Sequence, residues 1–380
     1  MTAVYDFVVA GGGPAGAAFA WQLAQAGRCV LLVEKEAGPH DKICGEFLSG
    51  EALHYLAQLG VDPVALGGIP ITHLILSRQG RSVGCVLPFS ALTLSRRRLD
   101  AALLERARSA GVEIRQGVAV QNFSRAQEDW TVRLTGGSVR ASNVALATGK
   151  HDMRGRSRQR RGTQADLIGF KLHLQIAPDQ HRALAGAVEL CLFPGGYAGL
   201  QNVEGGLTNL CLLVDKTAYN RRGSWAAFCQ ALLKSSPQLA QRLKGARPCD
   251  ERPLATAAIP YGFVQADAEP DGCWRLGDQA AVIPSFAGAG ISLALHSASL
   301  ASEAVLQGAS VEQFQVRFAA DARRRVRAST MLSRLMVKDA SQAVLETAAH
   351  VFPSSLRIIA SLTRLPAAKL RSGRVRMPGL

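Results

Sequence analysis

The stretch VYDFVVAGGGPAGAAFAWQLAQAGRCVLLVE, Val4 to Glu34, decides the fold. Tyr5 to Ala10 is an apolar run with the length of a buried strand. Pro14 to Ala26 is rich in alanine, opens on proline and stops before Gly27, the pattern of a helix. Arg28 to Glu34 is a second apolar strand. Strand, helix and strand in so short a span make a β-α-β unit, whose strands run parallel with the helix crossing one face.

Between strand and helix, Gly11-Gly12-Gly13-Pro14-Ala15-Gly16 fits GxGxxG. Gly11 permits the tight turn, Gly13 lets the backbone approach a pyrophosphate, and Gly16 lets the helix press on the strand. Pro14 and Ala15 begin the helix, whose free N–H groups and positive dipole end face the phosphates. Glu34, followed by Lys35, ends the second strand. Its carboxylate suits a ribose diol and repels a 2′-phosphate. The reading is a bound adenine dinucleotide, with NADP disfavoured in this site.

Outward from that unit, the 380 residues suffice for two domains. Gly50 to Leu59 and Leu99 to Ala110 read as helices, and Val112 to Ala147 as short strands. Strand-like alternation recurs at Leu167 to Ile176, Val188 to Phe193 and Leu207 to Val214. Ser224 to Leu243 reads as one helix, Trp274 to Leu276 as a strand and Gly288 to Leu306 as a helix. Val311 to about Leu365 reads as helices with arginines among apolar faces.

The eight cysteines form no CxxC pair, so no zinc site is expected. Val4 to Ala10 is too short for a signal peptide, and no apolar run is long enough to span a bilayer. The expectation is a cytoplasmic protein with reduced thiols. The formal net charge is +15, with arginine clusters at Arg96-Arg97-Arg98, Arg154 to Arg161, Arg323 to Arg327 and Arg371 to Arg376. Solvated faces account for such clusters. Sharper alternatives are cofactor phosphates, an acidic carrier protein holding the substrate, or anionic lipid at the inner face of a membrane. The helices from Val311 to about Leu365 read first as a cap packing on the body; the alternative is an interfacial surface, with Leu356, Ile358, Ile359, Leu362 and Leu365, flanked by Arg357 and Arg364, lying on a membrane. With no recognition helix or RNA-binding signature, nucleic acid is not expected.

A second binding segment lies far downstream: Gly277-Asp278-Gln279-Ala280, then Pro284-Ser285-Phe286-Ala287-Gly288-Ala289-Gly290-Ile291. An acid at a strand's end binds polyol hydroxyls, and the helix start that follows stabilises negative charge. With these motifs the chain resembles the FAD superfamily of aromatic-ring hydroxylases, flavin halogenases and geranylgeranyl reductases, over roughly residues 4 to 305. The resemblance implies that FAD is held by Gly11, Gly13, Pro14, Ala15, Gly16, Glu34 and Lys35 at the adenine end. Arg96, in an R-x-x-x-D helix start with Asp100, and Thr148-Gly149 complete the middle. Gly277, Asp278, Pro284, Gly288, Gly290 and Ile291 contact the ribityl chain and ring.

Lys42-Ile43-Cys44-Gly45 resembles the geranylgeranyl reductase branch, whose cysteine lies near the flavin, so Cys44 and Gly45 join the cofactor contacts. Gly195-Gly196-Tyr197 is similar to that branch's substrate-sheet motif, but its usual tryptophan position is Gly199, which implies a roomier pocket. The halogenase Trp-x-Trp-x-Ile-Pro signature is absent.

The expected fold is therefore α/β: a doubly wound, Rossmann-like FAD-binding domain (residues 1–70, 95–165 and 265–306), an inserted mixed-sheet substrate domain (71–94 and 166–264), and a C-terminal helical region (307–380). Candidate catalytic residues are Cys44, His173 and Tyr197. Each also has a plain structural reading, as a packed thiol, a structural histidine and a sheet-packing tyrosine. Lys171 and His173 alternate on one strand and share a face. The expected function is FAD-dependent monooxygenation of a hydrophobic aromatic or polyketide-like substrate, with O2 and with NAD(P)H as a transient reductant. A double-bond reductase of isoprenoid-like substrates is the alternative, and a non-catalytic flavin-binding scaffold a lesser one.

Overall fold

A computed structural model describes residues 4–126, 129–153, 160–366 and 369–370. Residues 154–159 of the first of the later arginine clusters, and Arg371 to Arg376, lie outside the described residues. From the amino end, β1 (Val4–Ala10), α1 (Pro14–Gln25) and β2 (Val30–Glu34) form the anticipated crossover. Then come β3 (Phe47–Ser49), α2 (Gly50–Gln58), the hairpin of β4 (Ile69–Arg78) and β5 (Arg81–Thr93), and α3 (Arg96–Ser109). The strands β6 (Glu113–Gln116), β7 (Val120–Ala126), β8 (Asp129–Leu134) and β9 (Gly137–Leu146) return to the first sheet.

The second sheet continues with β10 (Leu167–Gln175), a short α4 (Pro178–Ala183), β11 (Ala187–Phe193), β12 (Gly196–Val203) and β13 (Leu207–Asp215). Helices α5 (Lys216–Asn220), α6 (Trp225–Ser235) and α7 (Pro237–Arg242) precede the edge strands β14 (Arg247–Pro248) and β15 (Leu254–Ala257). Strand β16 (Trp274–Arg275) rejoins the first sheet ahead of α8 (Gly290–Leu306), and α9 (Val311–Val337), α10 (Asp339–Val351) and α11 (Ser354–Leu362) follow.

The first sheet runs β6-β2-β1-β9 in parallel, with β16 parallel to the end of β9 and β8-β7 as an antiparallel extension. Helices α1, α2, α3 and α8 pack on one face around Phe19, Leu99 and Leu300. The second sheet runs β14-β10-β13-β12-β11-β4-β5-β3 and is parallel only between β4 and β11. Its β3 comes from the segment read as part of the first domain, so the two sheets share the run after Cys44. Phe228, Leu232 and Leu239 of α6 and α7 cover one face, while Met336, Ala349, Leu356 and Ala360 of the last three helices cover the other.

Three local differences from the sequence reading have physical causes. Helix α3 starts at Arg96, ahead of the periodicity from Leu99. Ser95 accepts the Arg98 N–H and Glu46 accepts the Arg96 N–H at 3.0 Å, so the first turn is satisfied by caps. The expected helix Ser224–Leu243 breaks before Pro237, which has no N–H to continue the ladder. Strand β12 shows no alternation because it is buried on nearly its whole length.

Candidate functional site

At the adenine end, backbone meets backbone. A Cβ at Gly16 would lie 1.9 Å from the Gly11 carbonyl oxygen, and Gly11 itself adopts φ +109°. A Cβ at Gly13 would instead meet only the Arg96 Nη2, at 3.5 Å, so that side of the turn is open. Glu34 is buried, and its Oε2 accepts the Gly12 N–H at 2.7 Å. Beside it a cavity of ≈180 Å³ is lined by Gly12, Glu34, Lys42 and Asp100. Lys35 stands apart from this cavity, exposed and paired with Glu36 at 3.5 Å.

Arg96 is fixed by a bidentate pair to Asp100, both contacts at 2.8 Å, and Lys42 reaches Asp100 at 3.0 Å. Burial alone would raise the Asp100 carboxyl, but the charges of Arg96 and Lys42 outweigh it and hold it below the usual range. The guanidinium is thereby held over the mouth of the glycine turn.

After β16, Gly277 takes φ +57° and donates its N–H to Ser297 Oγ at 2.8 Å. The Gln279 amide donates to the carbonyls of Gly149 (2.7 Å) and His151 (2.9 Å), tying this turn to the exposed Thr148 and the half-buried Gly149. Burial raises the Asp278 carboxyl against the opposing charges of Lys150, Arg96 and Arg160. Arg160, from the cluster considered for cofactor phosphates, turns inward: it donates to the Asp278 carbonyl at 3.0 Å and pairs with Asp152 at 3.2 Å. Pro284 is buried, Gly288 is left-handed at φ +59°, and Gly290 and Ile291 open α8.

The Cys44–Gly45 strap is clamped from the second sheet. Asn209 Nδ2 donates to the Cys44 carbonyl at 3.2 Å, Gln201 Nε2 donates to the Gly45 carbonyl, and Lys150 Nζ donates to the Ile43 carbonyl at 3.2 Å. Cys44 Sγ accepts the Glu46 N–H at 3.3 Å.

Glu46 is the residue that sequence reasoning passed over. It is fully buried at φ +58°, a left-handed conformation costly for a non-glycine residue. Lys171 Nζ bonds its Oε1, His173 Nε2 lies 2.7 Å from its Oε2, and Asp41 Oδ1 stands 3.7 Å from His173 Nδ1. Burial would raise its carboxyl, yet the His173 hydrogen bond and the Lys171 charge hold it below the usual range. Asp41, Glu46 and His173 are close enough to ligate a cation, but the Lys171 ammonium already pairs with Glu46 Oε1 and lies 3.8 Å from Asp41 Oδ1, supplying positive charge to the same carboxylates. Lys171 and His173 do share a face, and that face is turned to Glu46. His173 does not line the large cavity described next.

That cavity, of ≈190 Å³, lies between the second sheet and α9–α11. Leu74, Leu87, Leu190 and Leu213 form its sheet wall, with Leu332, Met336 and Ile359 opposite. Gly45 and Ser285 to Gly288 form its floor, where the resemblance places the flavin ring. Tyr197 lines it, with its ring edge-on to Phe286 at 5.8 Å, and burial pushes its hydroxyl well above the usual phenol range. Gly199 also lines it. Arg364 is the one charged side chain among the described lining residues. It stacks over Phe89 at 4.8 Å, donates to the carbonyls of Ala287 and Gly288, and is lowered by burial to about 10, still charged at neutral pH.

The parts suit FAD. The adenine-side cavity at Glu34, the open side of Gly13, the fixed Arg96, the Asp278 turn and the floor at Gly45 follow one another. A Cβ at Gly45, Gly149 or Gly290 would meet nothing within 4 Å, so backbone borders a trough with room for a ligand.

Comparison with known proteins agrees. Residues 4–167 match the family model described as FAD binding domain. Menaquinone reductase of Mycobacterium tuberculosis is 27% identical over 312 residues, 78% of this chain and 76% of its own length. Digeranylgeranylglycerophospholipid reductase 2 of Methanopyrus kandleri is 24% identical over 79% of this chain and 76% of its own. Among solved structures, a flavoprotein/dehydrogenase from Cytophaga hutchinsonii has a TM-score of 0.77 at 18% identity, covering 94% of this chain and 92% of that one. The myxobacterial chondrochloren halogenase CndH has a TM-score of 0.74 at 21% identity, covering 97% and 92%. These two likenesses speak to the fold alone.

Proposed function

We propose, from the premise that this chain belongs to the FAD-dependent oxidoreductases of the hydroxylase and geranylgeranyl reductase superfamily, that it reduces a carbon–carbon double bond in a long, apolar, isoprenoid-like substrate. The observation that carries the reading is the cavity. Aliphatic side chains wall it, its floor is the flavin turn, and no aspartate, glutamate or histidine is among the described lining residues. A hydroxylase that activates phenols needs a base facing the ring, and the described lining residues offer none. The relatives named menaquinone reductase and digeranylgeranylglycerophospholipid reductase support the same reading by their names.

Bound FAD, once reduced, supplies a hydride; NAD(P)H is the proposed reductant, binding transiently, since the sequence holds one dinucleotide fingerprint. The chain does the rest. Leu190, Leu213 and Met336 desolvate the substrate chain and exclude water. Tyr197 keeps its proton, with its buried hydroxyl beside Ser333 and the Phe286 backbone, and its side chain walls the cavity. Arg364 holds the Ala287 and Gly288 carbonyls and keeps the floor in place.

The second reading is the monooxygenase on an aromatic or polyketide-like substrate. The aromatic rings of Phe47, Phe89, Tyr197 and Phe286 around the floor favour it. Oxygen separates the two. The reductase predicts that pre-reduced protein under argon converts a polyprenyl substrate to a product carrying two more hydrogens. Product that appears only in air and carries label from ¹⁸O2 would instead establish the monooxygenase. A flavin scaffold would reoxidise at the same rate with and without substrate.

A further inference from the structure

We infer that the outer face of α9–α11 is a docking surface for an anionic lipid bilayer, through which the cavity is loaded. The three helices lie as one layer on the second sheet: α11 on β5, α10 on β4, and the end of α9 on β11 and β12. The faces turned from the sheet therefore look the same way. They carry Met331, Val344, Val351, Phe352, Ile358 and Leu362, each more than half exposed. Large apolar groups gathered on one exposed layer mark a contact surface.

Charge names the occupant. Arg334, Lys338 and Arg357 are exposed in the same layer, as are Arg323, Arg324 and Arg327 further back on α9. The acids of α9–α11 are fewer: Asp321 and Glu346 are buried, Asp339 accepts the Gly195 N–H, and the exposed Glu312 sits in the first turn of α9, at the opposite end from Arg334. Apolar side chains rimmed by cations suit the interface of an anionic membrane, with the helices lying flat. No helix among the described residues is long and apolar enough to cross one.

The cavity reaches this face at Ala348. Ala348 of α10 lines the cavity and is exposed, and Ser355 and Ile359 of α11 line it opposite. Val351, Phe352 and Ile358 thus stand around a mouth between α10 and α11. A lipid-soluble molecule could pass from the acyl layer into the cavity without crossing water. The docking face is independent of which reaction the flavin performs.

The test is co-sedimentation of the purified holoprotein with vesicles of phosphatidylcholine alone or mixed with phosphatidylglycerol. Binding to the mixed vesicles, weakened by salt, is expected. The double variant Phe352→Glu/Ile358→Glu changes exposed positions, so folding and flavin content should hold, while binding falls by about tenfold. Arg334→Glu should weaken binding to mixed vesicles by about fivefold or more and leave phosphatidylcholine binding unchanged. The idea is overturned if the wild type ignores mixed vesicles, or if the double variant binds as well as the wild type. A wild type that pairs on gel filtration and binds no vesicle, with a double variant that is single, would also overturn it: the face would then join two copies of this chain.

Discussion

At Gly16 an added Cβ would stand 1.9 Å from a backbone oxygen; at Gly199 it would meet nothing nearer than Leu190 Cδ2, at 3.6 Å. The first glycine belongs to the proposed cofactor trough and the second to the proposed substrate cavity. In the trough, backbone packs on backbone and nothing can yield. In the cavity, side chains face open space, and a change alters which ligand fits before it alters the fold.

The largest effect expected from this contrast is at the trough. Gly16→Val must push α1 off β1, at a cost on the order of 4 kcal/mol or more. Flavin content after reconstitution, read from the visible absorbance, should drop to background. A yellow, stoichiometric variant would show that the glycine turn does not hold the cofactor.

Glu46 joins the two regions, and its loss comes next. Glu46→Gln leaves buried Lys171 with only Asp41, at 3.8 Å, as counter-charge, which costs about 3 kcal/mol, because glutamine still accepts one hydrogen bond. Urea unfolding measures it. The pH dependence carries the same signature. The folded carboxyl is held below its unfolded value, so its stabilisation is complete above roughly pH 4.5 and is lost as pH falls through the folded pKa. The wild type should therefore lose more stability than Glu46→Gln on acidification below that point. Parallel profiles would mean that the cluster contributes no such term.

The same contrast explains what the sequence discloses. The dinucleotide turn is legible because every part of it, from Gly11 to Glu34, is local and constrained by sterics. The Asp278 turn is legible because a strand end, an acid and a glycine-led helix are neighbours in the chain. Glu46 directly follows the Lys42-Ile43-Cys44-Gly45 run, yet its partners are 125 and 127 residues away. One signal was available: Lys171 and His173 on one face of an otherwise apolar strand require a buried acid. Strand β12 was hidden because burial on both faces erases alternation. The cavity's roof, with Arg364, depends on how three helices dock, which periodicity does not encode.

At Gly199 the expected effect is smaller and selective. Gly199→Trp should project into the cavity without touching the trough, so flavin content stays at the wild-type level. kcat/KM for long substrates should fall by about tenfold, ~1.4 kcal/mol, while short ones are spared. An unchanged chain-length preference would move the substrate elsewhere.

The smallest effect is at Arg364, where the trough and the cavity touch. Its guanidinium spreads over Phe89 while reaching two carbonyls of the flavin turn. Lysine keeps the charge but has neither the plane to stack nor the fork to reach both oxygens. Arg364→Lys should therefore loosen the floor without emptying it, at about 1 kcal/mol, roughly a fivefold rise in KM. Flavin content should hold, because the backbone cradle at Gly11 to Gly16 is untouched. If Arg364→Lys lost its flavin as Gly16→Val does, the roof would be part of the cofactor site, and the division between rigid trough and adaptable cavity would fail at the residue that links them.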